Sequence, residues 1–281
     1  MIRNKNTFIY LHPSIWFTII VSLLTGMLTE VLIIFTIVIW HELGHIIVAK
    51  LFNWNIRRVT LWIFGGVMET EEHGNKPAFE QFFITIAGPL QHVFIYWVLL
   101  QFNTTLQLSE SLTLFAIKYN QFILLFNLIP IWPLDGGKLF NLLLNKIYPY
   151  KKAYERTLIF SFAMLFLFLV IVTIYYDAFL NASVLFTFLI LENRLEWKRR
   201  LYVFQRFLLS RMSKMKQSRK VVPLILSSQT SLSDVFLHFR ANCYHPILIK
   251  ERCTLTNEST CLKHYFEQGN YQDRLDDVIR N

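Results

Sequence analysis

The sequence predicts an all-α polytopic membrane protein of six spanning helices, with a membrane-associated β-hairpin and a small C-terminal α+β domain. Three observations carry this. The 281 residues are 54% hydrophobic and only 17% charged, where an ordinary globular chain carries about 25% charged residues. Apolar runs of spanning length recur between residues 10 and 191. The Lys and Arg residues collect on alternate loops. The net charge of +9 would suit a nucleic-acid binder, but the basic residues flank apolar segments as membrane topology requires, so no nucleic-acid partner is expected. The 26 Phe residues, an aggregation hazard in water, are ordinary in lipid.

The spans are expected at residues 10–28, 31–49, 82–100, 112–132, 157–176 and 178–191, the last being the shortest. The first lacks a small-residue cleavage site, so it reads as a span and not as a removable signal peptide. The second is apolar except for His41, Glu42 and His45 near its end, and the fourth contains Lys118. The turns at residues 26–30, 101–111 and 177 hold no Lys or Arg. The opposite ends hold Arg3 and Lys5, then Lys50, Arg57, Arg58 and Lys76, then Lys138, Lys146, Lys151, Lys152 and Arg156. Both termini are therefore expected in the cytosol, as is the His41–His45 end of the second span.

Between the second and third spans, Val59, Leu61, Ile63 and Val67 read as two strands with Gly65-Gly66 as their turn. Such a hairpin at membrane depth must be covered by protein or line a wet cavity. Residues 194–220 contain ten basic residues and one acidic residue and read as a linker helix on the anionic lipid surface. Residues 221–281 read as a cytosolic α+β domain, marginal alone at this size. Residues 222–226 and 246–250 are its strands. Ser231 and Asp234 form a capping box, and Leu232, Val235, Phe236 and Phe239 repeat at helical spacing. Cys243, Cys253 and Cys261 are odd in number and fit no zinc-ribbon spacing, so they are expected to be reduced and structural. The domain reading is 1–193, 194–220 and 221–281.

His41-Glu42-Leu43-Gly44-His45 is an HExxH sequence. On a helix the two histidines share one face and can ligate one zinc ion, with Glu42 placed as general base. Ionisable groups inside a span are costly and mark function by default. A catalytic zinc needs a third protein ligand. Asp135 is the best candidate: it is the only Asp before Asp177, and it follows a helix break at Pro130 and Pro133 at the same expected membrane depth as His41. Gly136-Gly137 is expected to prevent a simple continuation of that helix. Backbone freed near Pro133 is expected to orient substrate. Asn127 suits either an oxyanion donor or a helix–helix hydrogen bond. The strand segment with Phe64, Gly65 and Gly66 is expected to clamp an extended substrate by edge pairing. His92 is expected to make a packing hydrogen bond. His12 and His73 are expected in solvent, and His238, His245 and His264 show no ligand spacing.

HELGH followed by Pro133-Leu134-Asp135-Gly136-Gly137 resembles the site-2 protease family of intramembrane metalloproteases. Phe64-Gly65-Gly66, the run at 71–75, Ala87-Gly88-Pro89-Leu90-Gln91-His92 and the run at 128–138 are similar to its sporulation members, and the resemblance spans nearly the whole chain. It implies that His41, His45 and Asp135 bind one Zn²⁺ per chain and that Glu42 is catalytic. It implies a sigma-K precursor as substrate, cut at its N-terminal prosequence. It also implies inhibitory companion membrane proteins and a location in the mother-cell-derived membrane around the forespore. The C-terminal unit is similar to a single CBS domain, which implies ATP or another adenine nucleotide as ligand. CBS units work in pairs, so either two chains associate as a homo-oligomer or the nucleotide site is degenerate. A catalytically dead relative would lack Glu42 or a ligand, and neither is lost. A transporter would show repeated halves with paired broken helices, and no such repeat is visible.

Overall fold

The structure is a computed structural model and describes residues 8–62, 65–70, 76–102, 109–175, 179–213, 220–251, 254–267 and 273–280. It opens with an extended segment, β1 (Phe8–Leu11), and not with helix. Helix α1 (Pro13–Thr25) begins only at Pro13, a residue preset for a first helical turn. The His12 side chain caps it by accepting from the Ser14 N–H, and the same ring stacks on Trp62. His12 is therefore a structural residue and not a solvated flank. At 13 residues α1 is short against the roughly 20 needed to cross a bilayer upright. Gly26, in the left-handed region at φ 75°, ends it.

Helix α2 (Leu28–Leu51) carries the HELGH sequence in its last three turns. Strands β2 (Ile56–Trp62) and β3 (Gly65–Thr70) pair antiparallel, and β1 adds in parallel on the other side of β2. The expected hairpin is present, within a sheet of three strands. Gly65 and Gly66 are not its turn. They are the first residues of β3, opposite Trp62 and Leu61. Phe64 lies outside the described residues.

Helix α3 (Ala78–Phe102) contains Pro89. Helix α4 (Glu110–Asn127), capped by Ser109, ends at Asn127, before the 132 expected. Residues 128–134 form an irregular loop, and a new helix, α5 (Asp135–Ile147), starts at Asp135. The fourth helix is broken, as expected, and Gly136-Gly137 lie in the first turn of the new helix. The glycines are needed for close approach: a Cβ on Gly136 would lie 2.2 Å from the Leu128 carbonyl oxygen, and one on Gly137 would lie 2.6 Å from the Ile131 carbonyl.

Helix α6 (Tyr150–Tyr175) is followed by α7 (Phe179–Ser213), an unbroken helix of 35 residues. Among the described residues three helices are long and apolar enough to cross a membrane, Leu28–Leu51, Ala78–Gln101 and Tyr150–Ile174. The chain divides into two compact units. The first holds Met1–His73, Phe79–Ile129 and Leu134–Gly136, and the second holds Gly74–Ala78, Pro130–Pro133 and Gly137–Asn281.

In the second unit the loop before Asp135 is held by buried polar groups. The Trp132 N–H donates to Ser161 Oγ at 2.8 Å, and Asn193 Nδ2 donates to the Trp132 carbonyl. Both side chains are fully buried, so loss of either would strand a polar group.

The C-terminal part contains β4 (Lys220–Val221), β5 (Leu224–Leu226), α8 (Leu232–Leu237), β6 (Cys243–Tyr244), β7 (Ile247–Ile249), β8 (Thr254–Thr256), α9 (Glu258–Glu267) and α10 (Leu275–Arg280). Strands β5 and β7 are parallel, and β8 is antiparallel to β7. Its core of Leu232, Phe236, Phe239, Ile247 and Leu262 is completed by Phe207 of α7 and by Tyr150, whose ring stacks on Phe207 at 3.9 Å. A domain marginal by itself is thereby given extra apolar surface to bury. The buried Arg211 guanidinium fastens the end of α7 to Glu258 at 2.6 Å and lies over the Phe207 and Phe239 rings. His245 spans the Val222 carbonyl and the Arg240 N–H, and burial holds its pKa below the usual range. Cys261 is free and buried, its thiol pushed up to about 12 by burial, which suits an inert structural residue.

Candidate metal centre

The helical period of α2 places His41 and His45 one turn apart on one face, both buried. Asp135, first residue of α5, is buried with them. His41 Nε2 and His45 Nε2 are 3.1 Å apart, and Asp135 Oδ2 is 3.2 Å from the first and 3.0 Å from the second. Among the described residues this trio is the group of His, Cys, Asp and Glu able to hold a metal ion.

The donor set fits zinc. Ligands at about 2.0–2.1 Å in a tetrahedron stand roughly 3.3 Å from one another, close to the triangle observed. His45 Nδ1 lies 2.7 Å from the Ile84 carbonyl oxygen. A carbonyl only accepts, so Nδ1 carries the proton, and when the ring is neutral Nε2 offers a lone pair. That lone pair faces a carboxylate oxygen, a repulsive arrangement that a cation between them reverses.

Helix α3 makes this approach feasible. Ile84, Gly88 and His92 recur at four-residue spacing and so line one face. A Cβ on Gly88 would fall 2.3 Å from His45 Nε2 and 2.7 Å from His41 Cε1. A Cβ on Gly44 would fall 2.6 Å from the Ala87 carbonyl oxygen. Glycine at both positions lets α2 and α3 meet closely. Gly88→Ala is therefore expected to push both imidazoles from their positions and to lower zinc affinity about 10–100-fold, the scale for disturbing support groups. Metal content of the purified protein after mild chelation measures this.

Glu42 is buried beside the trio on α2. Its Oε1 accepts from the Gly66 N–H at 2.9 Å. A Cβ on Gly66 would fall 2.4 Å from Glu42 Cδ, and one on Gly65 would lie 3.9 Å from Oε1. Strand β3 and the carboxylate thus touch through a backbone that only glycine leaves bare. Asn127 donates to the Ile123 carbonyl of its own helix at 3.0 Å, the local helix bond and not the cross-helix one. Pro133 sits in the loop of the second unit, after a cis Trp132-Pro133 bond. His92 makes the expected hydrogen bond, to His41 Nδ1 at 3.0 Å. Sequence reasoning missed Gly66 as the partner of Glu42, Gly88 as the gap admitting the imidazoles, and Asn120, which touches His92. The signal available was the four-residue spacing of Ile84, Gly88 and His92.

A family model described as peptidase family M50 matches residues 29–109 and 99–172. The chain belongs to peptidase family M50. It is thus an intramembrane zinc metalloprotease, and the resemblance carried by HELGH and the Asp135 segment is borne out. This M50 chain is 37% identical over 278 residues, 96% of each chain, to stage IV sporulation protein FB of Bacillus subtilis (strain 168). It is 34% identical over 125 residues, 43% of this chain and 36% of the other, to a zinc metalloprotease of Methanocaldococcus jannaschii. Among solved structures, the site-2 protease from Methanocaldococcus jannaschii aligns with a TM-score of 0.51 at 25% identity, over 67% of this chain and 89% of that one.

Proposed function

We propose that this M50 protein removes the N-terminal prosequence of a membrane-associated sigma-K precursor during sporulation. His41, His45 and Asp135 hold one zinc ion and Glu42 acts as general base. The observation that carries the reading is the buried triangle of three donors, 3.0–3.2 Å on each side, beside a buried glutamate. The similarity over 96% of the chain to a sporulation protein supports the substrate.

Zinc bound there supplies Lewis acidity, making water acidic enough to lose a proton near neutral pH and polarising a carbonyl oxygen. The chain's own residues do the rest. Gly66 holds Oε1 of Glu42 by its N–H, which leaves Oε2 to take the proton from water. The hydroxide so formed would add to the peptide carbonyl carbon, and Glu42 would return the proton to the amine as the C–N bond breaks. Strand β3 is at the edge of its sheet. A substrate strand added there, along Gly65 and Gly66, would run past Glu42 with its carbonyls exposed, as no helix can present them.

The proposed topology has six spans with both termini cytosolic, supported by the alternation of Lys and Arg and by the three long apolar helices. Residues 1–193 form the membrane domain, the exposed Arg194, Lys198 and Arg199 of the 194–220 linker contact anionic lipid, and 221–281 form a cytosolic CBS-like domain. That domain takes ATP or another adenine nucleotide and can pair two chains. A shallow polar depression lined by Ser227, Thr230, Ser231, Asp234 and Arg274 lies on its surface. The setting is the mother-cell-derived membrane around the forespore, with companion membrane proteins as inhibitors.

Co-expression with a sigma-K precursor, followed by reaction of purified membranes with and without a zinc chelator, tests this. The shortened product should form, vanish with chelator and return with added zinc. Cleavage by metal-stripped protein would overturn the mechanism, and failure to cut this precursor while another membrane substrate is cut would overturn the substrate.

A further inference from the structure

His92 on α3 and Asn120 on α4 are buried, His92 completely. Asn120 Nδ2 donates to the backbone carbonyl of His92 at 2.9 Å. A carbonyl oxygen only accepts, so this bond fixes which end of the amide is nitrogen. Asn120 Oδ1 then faces His92 Nδ1 at 2.8 Å and accepts from it. A neutral His92 with its proton on Nδ1 presents Nε2 as an acceptor. The atom 3.0 Å from that acceptor is His41 Nδ1, which must donate. His41 is left with its lone pair on Nε2, the atom in the donor triangle.

We propose that His92 and Asn120 are positioning residues that lock His41 in the tautomer able to bind metal, and so set zinc affinity. The two ligand histidines are oriented by different means. His45 uses a backbone carbonyl, that of Ile84, which no substitution at position 84 removes. His41 depends on two side chains in series. Metal-bound imidazoles generally donate their second N–H to a fixed acceptor, and removal of that acceptor costs about 10–100-fold in affinity. The inference rests on the zinc assignment above.

The test measures zinc affinity of the full-length protein in detergent by competition with a chromophoric chelator, with visible absorption of the cobalt-loaded protein as a second readout. Three variants are compared with the unaltered chain. His92→Leu removes the acceptor, Asn120→Leu releases the far end, and His92→Gln puts an amide oxygen near the place of Nε2. His92→Leu and Asn120→Leu should each weaken zinc about 10–100-fold. His92→Gln should recover most of the loss, and adding Asn120→Leu to it should cost little more, because the relay then no longer runs through Asn120. A helical, monodisperse His92→Leu protein binding zinc as the unaltered chain does would overturn the proposal. So would His92→Gln binding no better than His92→Leu. Should His41→Ala keep full zinc affinity, the zinc assignment itself fails, a result distinct from either.

Discussion

Glu42→Gln is expected to lower cleavage about 10²–10⁴-fold, the range for loss of a general acid–base group, while zinc content stays at one per chain. The substitution is conservative in shape. A glutamine oxygen can still accept from the Gly66 N–H as Glu42 Oε1 does, so the contact between α2 and β3 survives. What is lost is the capacity to hold a proton taken from water. Glu42 stands outside the triangle of His41, His45 and Asp135, so the metal has no reason to leave. Cleavage and metal content measured on one preparation check this. Retained cleavage would show that another group moves the proton.

Asp135→Ala is expected to remove zinc and cleavage together. The residue supplies one of three donors, and its Oδ2 lies within 3.2 Å of both imidazole nitrogens. Two imidazoles alone leave the ion with only two protein ligands, so the fall in affinity should exceed the roughly 10–100-fold cost of losing a supporting residue. Folding should survive: a buried carboxylate without a cation is a burden on the fold, and alanine at the start of a helix is not. Circular dichroism with metal analysis separates the two effects. Loss of helix content in parallel with zinc would mean that Asp135 holds the structure and not the ion.

The three proposed ligands and Glu42 were legible in the sequence because the chemistry is local. HELGH sets its own geometry once it is on a helix, and Asp135 stands out as a lone acid among apolar residues. Strands β2 and β3 were legible from the alternation of Val59, Leu61 and Val67. Strand β1 was not. Its pairing partner starts some fifty residues later, and although Pro13 biases the preceding residue to extended backbone, no local feature shows that residues 8–11 join a sheet. The start of α5 was hidden for a different reason. Gly136-Gly137 has poor helix propensity, yet packing against the carbonyls of the preceding loop overrides it. Gly88 and Asn120 were invisible as site residues because their roles exist only once α2, α3 and α4 are brought together.

The most direct measurement is zinc-edge X-ray absorption of the full-length protein, purified without added metal. The account predicts one zinc per chain, with only nitrogen and oxygen ligands at about 2.0–2.2 Å, and a new sulfur ligand at about 2.3 Å in Asp135→Cys protein that is reloaded with zinc. Sulfur around the zinc of the unaltered chain, or no sulfur in the zinc-loaded Asp135→Cys protein, would contradict it.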